Sequence, residues 1–269
     1  MPNPILTDKS FERARGEDAP GWAAPSAATA VAGTQARPPG ATTDGRVMTA
    51  NGTFAKTGAL FLLVLLGGAF GWSRTEISPV NQLSIPGWAI AVMFVAFALA
   101  MVCAFVPKSS PFLAPLYALL EGAFLGVISK LFEARWDGIV LQAVLVTIGV
   151  FLTTLVLYVT GVVKVTRKFQ MVVLSAMIGI FLMYLAGALM SLFGVDIMFW
   201  NDPSPFGIVI SVVIAVVAAL NLFLNFEFIR QASIAESPKY MEWYGAFGLM
   251  VALVWLYLEV LRLLSLLRQ

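Results

Sequence analysis

Seven stretches of this chain are long enough and apolar enough to dictate the solvent it folds in: Thr57–Trp72, Gly87–Val106, Phe112–Phe132, Ile139–Val163, Phe169–Val195, Phe206–Phe226 and Trp243–Leu267. A helix that crosses a bilayer needs about 20 mostly apolar residues. In hydrocarbon only helices and closed barrels satisfy their own backbone polar groups. Thr57–Trp72 is short by this measure, so its helix is expected to start about a turn earlier. The breakers fall between the runs: Pro79 and Pro86, Pro107 and Pro111, Asp137-Gly138, Pro203 and Pro205, and Pro238. Connections this short predict an antiparallel bundle. Composition closes off a soluble alternative. The chain is 59% hydrophobic and 12% charged, whereas soluble domains carry roughly 45–50% apolar and about 25% charged residues. The reading is therefore an all-α membrane protein: a seven-transmembrane-helix bundle over residues 56–269, after a disordered tail over residues 1–55. That tail is rich in Ala, Pro, Gly and Thr, carries mixed charges and shows no periodicity.

Several function classes drop out. A net charge of +2 with no basic run gives no reason to expect nucleic acid as a partner. The single cysteine, Cys103, makes no intrachain disulfide and no structural zinc site. Histidine is absent, which removes Ser-His and Cys-His catalysis, His-based metal sites and histidine ligation of haem. No aspartate falls inside a predicted span: Asp137, Asp196 and Asp202 lie in connections. Neither an enzyme nor a metal or organic cofactor is expected. The opening MPNPILTDKSFERARGEDAP has neither the basic start nor the apolar region of a signal peptide. The first span is expected to act as its own insertion signal, which fits a bacterial inner membrane.

Lys and Arg in the flanks orient such a bundle. Nine lie on the amino-terminal side (Arg37, Arg46, Lys56, Lys108, Lys164, Arg167, Lys168, Arg230 and Lys239), against five at most on the other (Arg74, Lys130, Arg135, Arg262 and Arg268). The amino terminus is expected in the cytoplasm. Gly67 and Gly71, and Gly122 and Gly126, have GxxxG spacing, which lets helix backbones approach closely. Ala176, Gly179, Ala186 and Gly187 give the fifth span a small face. Trp72, Trp88, Trp136, Trp200, Trp243 and Tyr244 sit near span ends, where interfacial aromatic belts form.

Four ionisable groups fall in or beside the spans: Glu121, Glu227, Glu259 and Arg262. A charge at the bilayer centre costs roughly 2.5–3.5 kcal/mol on insertion scales. A carboxyl group escapes much of that cost by taking up a proton, which makes intramembrane acids natural proton sensors or cation ligands. Glu121, in YALLEGAFLGVISK, lies about 13 Å in from the amino-terminal side. No cation is within a turn of it, and Tyr117 at i−4 is a candidate hydrogen-bond partner. Asn221, Asn225 and Glu227 follow one stripe at the end of the sixth span. With Glu121 they are expected to line a vestibule in the cytoplasmic half. The blander readings are a solvated helix end for Glu227 and simple interhelical hydrogen bonding for the two asparagines. Glu259 lies about 24 Å from the same side, one turn from Arg262. The two either pair locally or leave Arg262 to snorkel outward.

Three stretches resemble the Bax inhibitor family of seven-span membrane proteins: YALLEGAFLG, LNLFLNFEFIRQ (220–231) and ALVWLYLEVLRLL (252–264). The resemblance covers roughly residues 55–269. It implies a central seventh helix wrapped by the others, and a pH-sensitive calcium leak. It also implies a proton-sensing latch of two aspartates from the sixth and seventh spans, and, for some bacterial members, association with a membrane-bound AAA protease. The chain departs from that pattern. Asn225 stands where the sixth-span aspartate is expected, Glu227 follows two residues on, and the seventh-span acid is Glu259. The interval to Glu259 is longer than the pattern by two to three turns, and Glu227 and Glu259 differ in depth by about 20 Å. The expected function is a pH-sensitive cation leak with Glu121 and Glu259 as path or sensing acids and Asn225 and Glu227 at the mouth. Carboxylate oxygens suit calcium, and acids this dispersed favour passage over storage. A non-transporting regulatory partner of a membrane protease or of stress machinery is the alternative. A broken-helix transporter is weaker, because no internal repeat is visible.

Overall fold

The computed structural model describes residues 47–76, 85–193 and 203–269. Seven long helices account for nearly all of them: α1 (Ala50–Arg74), α2 (Gly87–Phe105), α3 (Ser110–Arg135), α4 (Ile139–Val159), α5 (Arg167–Leu192), α6 (Pro205–Ile234) and α7 (Met241–Leu267). All seven are long and apolar enough to cross a membrane, α3 together with the single 3₁₀ turn Pro107–Ser109 that leads into it. Successive helices run in opposite directions. The end where α1 begins is the near end below, and the end where α1 finishes is the far end. Residues 1–46 of the expected tail, and Trp200 of the expected aromatic belt, lie outside the described residues.

Helix limits differ from the apolar runs because hydrogen-bonded caps, not hydropathy, end a helix. Thr49 caps α1, its hydroxyl accepting from Gly52 N at 3.0 Å. The first helix thus starts about two turns ahead of Thr57 rather than one, and residues 47–55 belong to the bundle. Thr166 and Ser204 cap α5 and α6 in the same way. Gly161, at φ 71°, lies just past the end of α4, before the expected Val163, in a conformation glycine adopts without strain. At the far end α6 begins at Pro205, and at the near end it continues to Ile234, eight residues past the expected Phe226.

Helix α7 is the axis of the bundle. Its most apolar window is 61% buried, against 11% for α5, the most peripheral helix. It packs on α6, α1, α4 and α3. Its Leu249, Leu253, Leu256, Val260 and Leu261 share one core with Leu222, Phe226 and Ile229 of α6. A second core lies between its Phe247, Met250 and Val254 and α1, α2 and α3.

The tightest interface joins α1 and α3, which run parallel. A Cβ added to Gly67 would collide with the carbonyl of Leu119, one on Gly71 with that of Ala123, one on Gly122 with that of Val64, and one on Gly126 with that of Gly68. The two GxxxG stretches therefore interlock backbone against backbone, as their spacing suggests. A Cβ added to Gly179, on the small face of α5, would meet nothing within 4 Å among the described residues. Lys130 at the far end closes the same interface by donating to Trp72 O at 3.0 Å.

Gly122→Val or Gly126→Val should force α1 off α3 and cost about 1–3 kcal/mol or more. Thermal unfolding in detergent should show a lowered transition for both, and none for Gly179→Val. Equal behaviour of all three would contradict the packed interface.

Candidate functional site

At the far end, one turn of α7 presents Glu259 and Arg262 on the same face. Both are withdrawn from solvent, and Glu259 Oε2 lies 2.9 Å from Arg262 Nη2. Tyr184, from α5, joins the two: its hydroxyl donates to Glu259 Oε1 at 2.6 Å and accepts from Arg262 Nη1 at 2.5 Å. The guanidinium also stands over the Tyr184 ring, 5.6 Å from its centroid. A longer contact, 3.4 Å, runs from Arg262 Nη2 to Ser211 Oγ on α6. Three helices thus share one neutral pair, and Arg262 is anchored rather than snorkelling away. Arg262 Nε is buried and makes no hydrogen bond among the described residues. The pair forms part of the wall of a cavity of about 570 Å³, which Tyr184, Ile128, Leu258, Arg135 and Gln269 also line. The cavity runs from the intramembrane pair to residues at the far ends of α3 and α7.

Near-end acids are held differently. Glu227 is buried, and its carboxylate accepts from Arg230 Nε at 2.9 Å, Arg230 Nη2 at 2.6 Å, Gln231 Nε2 at 2.7 Å and the Tyr158 hydroxyl of α4 at 2.7 Å. It is neither a solvated helix end nor an open cation ligand, because its lone pairs are taken. Glu242, in the first turn of α7, is fully buried. It is paired with Lys239 at 3.1 Å and with Lys56 of α1, and it accepts from Thr49 N and Thr49 Oγ1, each at 2.9 Å.

Glu121 is half-buried on α3 and forms no hydrogen bond or ion pair among the described residues. Tyr117 does not serve it as a hydrogen-bond partner. The ring is buried edge-on against Phe247 of α7, 5.3 Å between centroids. Asn225 Nδ2 bonds back to Asn221 O at 3.0 Å, within α6. Across from Asn225 stands Gly248 of α7, where an added Cβ would lie 2.9 Å from Asn225 Oδ1. The shared vestibule expected from sequence is not assembled. Helices α3 and α6 form no packed interface and both lean on α7, and no polar contact links Glu121 to Asn221, Asn225 or Glu227 among the described residues. A two-acid latch is not formed either: glycine faces Asn225, while Glu227 and Glu259 sit in separate clusters at opposite ends.

Glu242, Tyr158, Tyr184 and Ser211 are not among the residues expected from sequence, and Lys56 and Lys239 figure there only as orienting charges. Glu242 stands immediately before the apolar run that starts at Trp243. An acid beside a span, three residues after Lys239, is the signal that could have found it. Tyr184 carries no such signal, since only packing brings α5 to α7. Among the described residues no group of three or more His, Cys, Asp or Glu could hold a metal ion.

The chain matches the sequence model of a family described as "Bax inhibitor 1 like" over residues 3–269. It belongs to that family. No curated protein and no solved structure matches it. This Bax inhibitor 1 like chain is an integral membrane protein.

Removing one partner of a buried ion pair strands the other and costs about 3–5 kcal/mol, while replacing both with apolar residues of similar size costs little. Arg262→Met should therefore destabilise the bundle strongly, and Glu259→Leu combined with Arg262→Met should recover most of the loss. Thermal unfolding of the singles and the double gives the coupling; additive losses would contradict a buried pair.

Proposed function

We propose that this protein is a pH-sensitive cation leak, with calcium as the permeant ion. The observation that carries the reading is the Glu259–Arg262–Tyr184 cluster on the central helix, at the inner end of a cavity that extends to the far end. The guanidinium occupies the position a passing cation would take on Glu259. Protonation of Glu259 removes the charge that holds Arg262, so the pair provides a gate whose state depends on proton binding. Glu121 supplies a second carboxylate in the near half. It lies about 16 Å from the start of α3, and Glu259 about 27 Å from the start of α7. Acids this far apart offer calcium successive weak stops rather than a cage of six to eight oxygens, which favours passage over storage. Glu227 has its lone pairs filled and is assigned a structural part in this reading. Lys56, Lys108, Lys164, Arg167, Lys168, Arg230 and Lys239 gather at the near end, which supports a cytoplasmic near end and amino terminus in a bacterial inner membrane. With no histidine in the chain, the protein is read as a non-enzyme.

The test is calcium entry into proteoliposomes at several pH values. Native protein should conduct in a pH-dependent way. Glu259→Gln should change the pH profile, and Glu121→Gln should lower the rate by an order of magnitude or so, because one unit charge in the path shifts ion energy by roughly 1–4 kcal/mol. Glu227→Gln should leave the rate close to native. No flux above empty liposomes, from folded protein, would sink the leak and favour a regulatory partner of a membrane-bound AAA protease.

A further inference from the structure

The residues just ahead of α1 are built into the near end of the bundle. Val47 pairs with Pro238 in an isolated antiparallel bridge, and Met48 N donates to Ser237 O at 2.7 Å. The connection between α6 and α7 thereby gains a short partner segment. Met48 is 2% exposed and shares a core with Phe226 and Ile229 of α6 and Leu249 of α7. Its terminal methyl lies 3.5 Å from where a Cβ on Gly245 would stand, and Ile229 and Thr53 flank the same spot at 3.2 Å. One turn deeper, the facing positions on α6 and α7 are Asn225 and Gly248. Met48 therefore fills the space between α6 and α7 directly over the half-buried amide of Asn225.

Thr49 fastens this segment. Its backbone N–H and its hydroxyl both donate to Glu242 Oε1 at 2.9 Å, while the same hydroxyl accepts from Gly52 N. Glu242 is fully buried and paired with Lys239 and Lys56. Gly52 is the residue that admits the carboxylate, since a Cβ there would collide with it. A helix start needs a cap. It does not need a buried side chain two residues ahead of it or a carboxylate from another helix, and lead-in segments are ordinarily loose unless tied down.

The geometry points to Val47–Thr49 as an autoinhibitory strap: Met48 fills the near-end space between α6 and α7 above Asn225, and Glu242 locks it there. Its effect on conduction rests on the leak reading, but its position does not. Release of the strap exposes Asn225, and fixing the strap keeps it covered.

Two readouts separate these claims. The first is labelling of Asn225→Cys by a membrane-impermeant maleimide in proteoliposomes, with the native buried Cys103 as an internal report of unfolding. Met48→Gly should speed labelling at position 225 by about tenfold or more, as local opening does, while Cys103 stays protected. Thr49→Val, which removes one of the two Thr49 bonds to Glu242, should give a smaller increase. Unchanged labelling at position 225, or faster labelling only together with Cys103, overturns the strap. The second readout is calcium flux. Met48→Gly should raise it severalfold, and a disulfide between Val47→Cys and Pro238→Cys should hold it below the level of the reduced form. If labelling rises while no variant conducts, the strap stands as a cover over Asn225 and the leak reading is what fails.

Discussion

Lipid gives helices no hydrophobic reason to pack on one another, so this bundle depends on what its helices offer besides apolar surface. Two devices carry that load. One is steric: α1 and α3 meet backbone to backbone because glycines stand at each crossing point. The other is electrostatic. Helix α7 carries a buried carboxylate near each end, Glu242 and Glu259, and each is neutralised by cations and tied to a different set of helices. Glu242 draws in the start of α1 and the α6–α7 connection. Glu259 and Arg262 draw in α5 through Tyr184 and touch α6 at Ser211. Without its second cluster, the peripheral α5 would hold to the bundle mainly through α6.

The same accounting sorts the acids by what chemistry remains open to them. A carboxylate whose lone pairs are filled by arginine, glutamine and tyrosine, as in Glu227, cannot take a passing ion without losing a partner. Glu242 is likewise committed. Glu259 is held by one guanidinium and one phenol beside a cavity, so exchange of that guanidinium for another cation is a local event. Glu121 has no partner to exchange among the described residues. The differences arise from packing, since all four are glutamates in or beside apolar helices.

The near end shows how a helix cap can do two jobs. Thr49 satisfies the first turn of α1 and, through Glu242, registers that turn against α7. The coupling is possible because Gly52 lacks a side chain where the carboxylate passes. Met48 and Val47 follow from it: once Thr49 is fixed, the two residues before it lie against Ser237 and Pro238.

The sequence by itself determined the solvent and the number of spans, and its family likeness implied the central place of the last helix. Apolar runs of bilayer length and their breakers are local features, and lipid leaves the backbone few alternatives to helix. The GxxxG pairs of α1 and α3 were legible for the same reason, as was the Glu259–Arg262 pair, three residues apart on one helix. Tertiary structure decided everything that joins residues far apart in the chain. It placed α3 and α6 on different sides of α7, which separates Glu121 from Asn225 and Glu227. It set Gly248, not an acid, opposite Asn225. It filled Glu227 with partners from its own turn and from α4, brought Tyr184 to Glu259, and buried Glu242 beneath Thr49. Spacing along one helix fixes which residues share a face, but which neighbour that face meets depends on the packing of all seven.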